Sequence, residues 1–285
     1  MKLKAKLLGV LLATVLLLTG LKVDAAPGGS VDWTNGNGAM LTATGMGLPP
    51  ANAVGPQKKI WARTAAIADA QRRLAEAANE VRVEGETTVK MNTLADDTVR
   101  TSVAATLKGA SIVSENWNAE GYYEVTMQVP LFGVGGLAQA VIKPPTEKIP
   151  FPTPTPIEPS PATPSTPSTP AVTVTATGGY TGVIIDCRGL GLNPVMSPVI
   201  KDASGVKLYG HQNLDYDLVI RDGMASYAHD ISGASRAGSN PLTLKAEKLD
   251  DHNANPVLSV TDGNRLLTEN NAGGFLSKTA VVFLY

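Results

Sequence analysis

The chain has 285 residues, with 24 Lys+Arg against 25 Asp+Glu and a formal net charge of −1 at pH 7. Residues 26–145 carry 10 basic and 11 acidic side chains, and residues 171–285 carry 9 and 11. Neither part has the basic surplus that phosphate backbones or anionic lipids favour, so a nucleic-acid partner is not expected. The single cysteine rules out an internal disulfide, and stability must come from packed cores.

The first residues are typical of an export signal. Three lysines precede an uncharged apolar run over residues 7–21, and small residues follow at 23–25. An apolar run of about 15 residues is short for spanning a bilayer, which favours a signal peptide over residues 1–25 against an uncleaved anchor. A lipoprotein would need a cysteine at the cleavage point, where Ala26 and Pro27 stand. We therefore expect an exported protein of the periplasm or cell envelope, in contact with the membrane only transiently through this segment.

Residues 30–143 predict an N-terminal α+β domain. The predicted elements are a strand at Ala39–Gly47, a helix over 58–81, a strand at Val81–Met91, a helix at Asp96–Leu107, and a hairpin that turns at 118–121. In the long helix, Ile60, Ile67, Leu74 and Val81 recur every seven residues and indicate the buried face, and the same side also holds Thr64, Ala70, Ala77 and Ala78. The small alanines indicate close packing on a sheet. The acidic start of the second helix suits a helix N-terminus.

Residues 144–172 predict a Pro/Thr/Ser-rich linker. Eleven of the 27 residues from 144 to 170 are proline, which donates no backbone hydrogen bond and cannot join a helix or sheet. Such a run favours polyproline II and would reach about 80 Å if fully extended. The tract indicates a spacer that holds two modules apart, with a proline-rich ligand for a partner as the alternative.

Residues 173–285 predict a second α+β domain of short strands. The expected strands are GVIIDC from Gly182, SPVIKD from Ser197, GVKLYG from Gly205, PLTLKAEKL from Pro241, VLSV from Val257 and AVVFLY from Ala280. Asp262 is the expected cap of a brief helix. An apolar strand at the C-terminal end is usually buried in a sheet. For both domains we expect an antiparallel or mixed sheet with packed helices.

Cys187 stands at the end of an apolar run and before a glycine-rich stretch. A phosphatase loop needs an arginine six residues after the cysteine, and Asn193 occupies that position. Arg188 is adjacent but would point to the opposite face of a strand, so a buried apolar thiol is favoured over a nucleophile. Gly189 and Gly191 lack the third glycine and the helix of a dinucleotide fingerprint.

The remaining polar candidates do not form a known motif. The three histidines at 211, 229 and 252 have acidic neighbours but no metal-ligand spacing, and the stretch DYDLVIRDG is apolar where a calcium loop needs oxygen ligands. Solvated turn residues are favoured over a metal site. We expect no cofactor, no metal and no catalytic residues. Trp33, Trp61 and Trp117 could line a sugar or peptide groove, with partly buried packing as the favoured alternative.

Two stretches resemble a known family. ARTAAIADAQRRLAEAANEVRVEGETTV, residues 62–89, is similar to the helix-to-strand signature of the LPP-twenty lipoprotein family, with its Asp-Ala-x-Arg-x-Leu-Ala-Glu core at 69–76. The Asp-x-Arg-Gly-Leu, Pro-x-Met-Ser-Pro-x-Ile, Tyr-Gly and Gly-x-Asn-Pro-Leu segments at 186–190, 194–200, 209–210 and 238–242 resemble the C-terminal part of longer exported relatives. This chain departs from the family in lacking the lipidated cysteine.

The resemblance implies a non-enzymatic envelope protein. Members of the family are exported, and some form rings or discs around the flagellar motor. The expected partners are envelope or flagellar basal-body proteins and further copies of the chain. The alternatives are a module that binds wall glycan or a small envelope molecule, and an exported hydrolase. The candidate interaction residues are two of the tryptophans and three residues in the resembling segments: Trp61, Trp117, Arg188, Met196 and Tyr209.

Overall fold

A computed structural model describes residues 28–35, 38–154 and 176–285. The expected signal peptide and the part of the expected linker from residue 155 onward lie outside the described residues. The architecture is α+β, as expected, with helices and several small sheets. Within the described ranges, no helix combines the length and the apolar character that crossing a membrane requires.

The N-terminal part is a four-stranded antiparallel sheet covered on one face by helices, with strand order β1-β2-β6-β5. A separate two-stranded hairpin, β3–β4, follows the long helix. The elements are β1 Ser30–Asp32, β2 Met40–Gly47, α1 Gln57–Glu80, β3 Arg82–Glu84, β4 Thr87–Thr88, α2 Val89–Ala95, α3 Asp97–Lys108, β5 Ser111–Trp117, β6 Tyr123–Pro130 and α4 Ala138–Val141.

Helix α1 forms where the sequence predicts it. The predicted buried face is confirmed at Ala70, Leu74 and Ala78 but is wrong at Ile60. The buried residues recur every four positions and are mainly small: Ala62, Ala66, Ala70, Leu74 and Ala78. Ile60 is 64% exposed instead. The helix lies so close to β2 that a Cβ at Gly45 would stand 2.7 Å from the Ala70 Cα. Alanines facing glycines permit this approach, and larger side chains are excluded from the contact.

The predicted strand Val81–Met91 is also wrong. The chain turns at Gly85, whose φ is +42°, and returns as β4 before helix α2 begins at Val89. The Thr88 side chain caps α2 by accepting a hydrogen bond from the Met91 amide at 3.4 Å. The helix expected at Asp96–Leu107 is confirmed as α3. Its cap is Asp96, which accepts hydrogen bonds from the next turn.

The C-terminal part contains two four-stranded sheets. The sheet β10-β14-β7-β11 is parallel throughout, and the sheet β12-β13-β8-β9 is mixed. The elements are β7 Gly182–Asp186, β8 Ile200–Asp202, β9 Lys207–Tyr209, α5 Tyr216–Asp222, β10 Ser226–Ala228, β11 Pro241–Lys245, β12 Lys248–Asp250, β13 Asn255–Leu258, α6 Val260–Gly273 and β14 Val281–Leu284.

Several details of this part differ from the expectation. The run from Pro241 is divided between β11 and β12, which belong to different sheets. Helix α6 is capped by Ser259, whose Oγ accepts from the Asp262 amide at 3.0 Å, so Asp262 lies in the first turn. The C-terminal strand β14 is buried in the middle of the parallel sheet, as expected.

The two parts pack directly on each other, so the prediction of modules held apart by a spacer is wrong. One continuous hydrophobic core includes Leu41 and Leu74 from the first part and Met196 and Phe283 from the second. The first residues of the proline tract lie along the second part. The Ile149 amide donates to the Gln212 carbonyl at 2.9 Å, and the Asn213 side chain donates to the carbonyls of Ile149 and Pro150.

Candidate functional site

Main-chain hydrogen bonds join the two parts in addition to the hydrophobic core that they share. The Met196 amide donates to the Arg82 carbonyl at 3.0 Å, and the Ser197 amide donates to the Val83 carbonyl at 2.8 Å. In the segment 194–200, Met196 and Ser197 therefore lie alongside β3 of the first part. Because these bonds use main-chain atoms, they satisfy polar groups that the apolar surroundings would otherwise leave unpaired.

Tyr227, in β10 of the second part, binds the same segment through the main chain of Val195. Its hydroxyl accepts from the Val195 amide at 3.0 Å and donates to the Val195 carbonyl at 2.9 Å, and all of these groups are buried. The Tyr227 ring meets Trp33 of the first part edge-on at 5.5 Å, and it also contacts Phe283 and Tyr285. Trp33 is therefore a packing residue between the two parts, as the favoured sequence interpretation has it.

A left-handed turn in the second part faces the β3–β4 hairpin. Asp251, His252 and Asn253 have φ values of 55°, 59° and 64°, in the region that favours glycine. Each such residue costs on the order of 1 kcal/mol, so the turn persists because its contacts hold it. The Arg82 guanidinium and the Asn193 side chain both donate to the His252 carbonyl, at 3.2 and 3.0 Å. The His252 carbonyl of this turn thus accepts a hydrogen bond from Arg82 of the first part and another from Asn193 of the second part.

The hairpin and the turn fit closely. A Cβ at Gly85 would lie 2.5 Å from the Asp251 carboxylate, so this glycine permits both the positive φ and the approach. Across the same contact, the His252 ring lies 3.4 Å from the Glu86 carboxylate. Both side chains are more than half exposed, so this pair contributes little to stability.

One cleft between the parts has a volume of about 300 Å³ and is lined by Trp33, Asp222 and Arg236, among others. The Arg236 guanidinium donates to the carbonyls of Asp222, Gly223 and Thr279 and to the Thr279 hydroxyl. Burial lowers the pKa of Arg236. Since its donors are engaged by the protein, Arg236 stabilises the wall of the cleft and is not set up to bind an anion.

A second cleft, of about 460 Å³, is lined by Glu84, Lys143, Lys207 and His211 together with prolines from the start of the tract. The His211 Nε2 atom is buried and has no hydrogen-bond partner among the described residues. Burial lowers the pKa of His211, and the nearby Glu84 carboxylate opposes that shift. The cleft mixes both signs of charge and does not select one ligand class.

Lys143 is engaged beside this cleft. Its Nζ lies 2.8 Å from the Asp96 carboxylate. The bond from Lys143 and those from the first α3 amides lower the pKa of Asp96 to about 2. Lys143 therefore joins the end of the N-terminal part to α3 and compensates the negative charge of Asp96, which caps this helix.

The five candidate interaction residues do not form one site. Trp61 is 56% exposed on α1. Trp117, at the end of β5, lies against Tyr123 with Lys59 Nζ 5.8 Å from its ring centroid. Both belong to the surface of the N-terminal part. The Trp117 ring therefore already contacts a cation above it and an aromatic ring beside it, so only part of its surface is available to a ligand.

The other three candidates lie in the C-terminal part. Arg188 is exposed but is paired with Asp186 at 2.7 Å. Met196 and Tyr209 are buried, and the Tyr209 hydroxyl donates to the Met224 carbonyl. The expectation that Met196 and Tyr209 contact a partner is therefore corrected, since their side chains are part of the core. Their role is to hold the second part together and against the first.

The residues considered for chemistry lie apart. Cys187 is buried, and burial raises the pKa of its thiol to about 12, which keeps it protonated. His229 contacts the Tyr285 ring, whereas His252 is at the left-handed turn and His211 lines the larger cleft. Within the described ranges, no group of three or more His, Cys, Asp and Glu side chains could hold a metal ion. The DYDLVIRDG stretch is mostly helix α5, which Asp215 caps.

The fold and its interface define a two-part α+β protein with a tightly packed contact between the parts. A family model described as the second domain of Treponema pallidum Tp0624 matches residues 182–285. The match begins at the first residue of β7 and covers the strands and helices of the C-terminal part. No curated protein matches the chain.

Sequence reasoning missed the interface. The segment 194–200 belongs to a resembling motif, but its contact with β3 uses main-chain amides. Such a contact does not depend on the side chains, so the sequence does not indicate it. The run Asp250-Asp251-His252-Asn253 was a possible signal, because Asp and Asn adopt positive φ more readily than most residues.

Proposed function

We propose that this chain is a non-enzymatic, exported protein of the cell envelope that acts as a structural or assembly component. It would associate with envelope or flagellar basal-body proteins or with further copies of itself. The export pattern of residues 1–25 and the LPP-twenty resemblance of residues 62–89 support this role. The flagellum is the assembly that the resemblance suggests.

The observation that carries the proposal is the uneven distribution of exposed apolar side chains. Nine large ones lie within residues 46–113: Met46, Leu48, Val54, Ile60, Trp61, Met91, Leu94, Ile112 and Val113. In residues 176–285, only Val206 and Ile231 are comparably exposed. A large exposed apolar area is typical of a docking surface, and here it is concentrated in the N-terminal part. The N-terminal part is therefore the proposed binding face.

The test combines a deletion with matched surface variants. We expect that loss of the gene impairs envelope integrity or motility, and that the wild-type protein restores it. The double variant Leu48→Ser/Ile60→Ser removes side chains that are 73% and 64% exposed and should fail to restore the phenotype. The control Val206→Ser/Ile231→Ser makes the same change on the C-terminal part and should restore it. A deletion without phenotype, with a protein that stays monomeric at high concentration, would overturn the proposal.

A wall-glycan-binding module is the second candidate. The observation that favours it is the surface aromatic group of Trp117, Tyr123 and Lys59, since aromatic rings with a polar neighbour suit sugar faces. The test is co-sedimentation of the purified protein with isolated peptidoglycan. Trp117→Ala should abolish binding, with Trp33→Ala as a control at a residue engaged between the two parts. Equal sedimentation of wild type and Trp117→Ala would remove this candidate.

An exported hydrolase centred on Cys187 has no support from the geometry. A nucleophilic cysteine must reach substrate as a thiolate, whereas this thiol is buried and protonated.

A further inference from the structure

Strand β5 is an edge of the N-terminal sheet. Among the described residues it pairs with β6 alone in the order β1-β2-β6-β5, and six of its seven residues are exposed, all but Trp117. Helix α1 covers β2 and β6 on one face of the sheet. Edge strands expose a row of backbone donors and acceptors, and apolar side chains on them increase the tendency to pair with another strand. Ile112 and Val113, 39% and 51% exposed, are such side chains.

The segments of this chain outside the described residues are poorly suited to cover that edge. Residues 1–27 join the chain just before β1, which is the opposite edge of the sheet. From Pro156 to Pro170 a proline occurs at least every third residue, and proline cannot donate to a ladder. Residues 171–175 lead directly to Thr177 and Gly178, whose amides are held by Glu269 of α6 in the other part.

The charges on β5 are compatible with a second copy of itself. Its only charged residue is Glu115, which is compensated by Arg63 of α1 at 2.7 Å. The register with β6 is irregular between Ile112 and Ser114, which leaves Ser114–Trp117 as the regular segment. A twofold axis at Glu115 would set two carboxylates opposite each other, which is unfavourable. An axis at Asn116 sets Glu115 opposite Trp117 of the other copy and opposes no like charges.

We propose that β5 pairs antiparallel with β5 of a second copy, centred on Asn116, to give one continuous eight-stranded sheet with both α1 helices on the same face. The inference rests on the proposed function and names the surface through which self-association begins. Asn116 lies opposite Glu124 of β6 and is exposed, so a change at this position leaves the core intact.

The first test is sedimentation velocity of the full chain over a range of concentrations. Asn116→Glu sets two carboxylates opposite each other, each beside Glu124 of its own β6, and should weaken the dimer by at least about tenfold, because juxtaposed like charges across an interface are strongly unfavourable. The control Ala203→Glu adds the same charge at an exposed turn of the C-terminal part and should not change it. Cooperative thermal unfolding of both variants shows that they fold.

The second test is disulfide cross-linking of Asn116→Cys. Directly opposite residues of an antiparallel pair have Cα atoms about 4.5–5.5 Å apart, which a disulfide can span. Cys187 is buried and should contribute no background. We expect a covalent dimer with Asn116→Cys and none with Ala203→Cys. Self-association that neither Asn116 variant affects would overturn the β5 pairing and leave the proposed function standing. A chain that is monomeric throughout and forms no cross-link would overturn the pairing itself.

Discussion

The close approach of α1 to β2 makes Gly45→Ala the sharpest test of the N-terminal packing. A Cβ at this position would lie 2.7 Å from the Ala70 Cα and closer still to the Ala70 amide and the Ala66 carbonyl. Carbon atoms in contact are normally about 3.5–4.0 Å apart, so the helix must move by about 1 Å. The atoms in the way are backbone atoms of a 24-residue helix, and no side-chain rotation can relieve the clash.

The expected cost follows from overpacking. Inserted methyl groups typically cost about 1–3 kcal/mol, and a backbone clash belongs at the upper end of that range. At about 2–4 °C per kcal/mol for a protein of this size, about 3 kcal/mol lowers Tm by about 6–12 °C. The assay is thermal unfolding followed by circular dichroism. Gly28→Ala is the control, because a Cβ there meets nothing within 4 Å. A Gly45→Ala variant within about 0.5 kcal/mol of wild type would refute the packing, since that is the range of neutral surface changes.

Three further predictions concern single polar groups. Tyr227→Phe leaves the buried amide and carbonyl of Val195 without their partner and should cost about 1–3 kcal/mol in urea unfolding; no change would contradict the contact. The pKa of Asp96 is lowered from 3.8 to about 2, so its stabilising effect is present above pH 3.8 and lost as pH falls towards 2; Tm curves of wild type and Asp96→Asn should converge there, and a constant gap would contradict this. The pKa of Cys187 is raised from 9.0 to about 12, so its reaction with a thiol reagent at pH 8 should be about a thousandfold slower than in denaturant, and similar rates would contradict its burial.

Much of the fold could be predicted from local patterns, and the failures have local causes. The sequence pattern predicts α1 and its length, because apolar residues recur at helical spacing. The small alanines of this helix indicate close packing on a sheet, as the structure has it. The pattern does not show that Ile60 lies outside this contact, since the position of the helix depends on Gly45 in a distant strand. The alternation from Val81 continues through Gly85, so it hides the turn that β3 and β4 make.

The arrangement of the C-terminal strands could not be read from their sequences. Strand β14 follows α6 in the chain but pairs with β7 and β10, and such non-local pairing leaves no periodic signal. The interface between the two parts was hidden for a similar reason. Two of its hydrogen bonds use the main-chain amides of Met196 and Ser197, and the composition of the proline tract suggested separation where the structure has contact.

We propose that the protein works by association through its N-terminal part within the envelope. The most direct measurement is the sedimentation of envelope extracts from cells that express either the wild-type chain or Leu48→Ser/Ile60→Ser. We expect wild type to sediment with a large envelope complex, and the double variant to be lost from that complex and to sediment as a species no larger than a dimer paired through β5. Wild-type protein that sediments as a monomer and separates from the envelope fraction would contradict it.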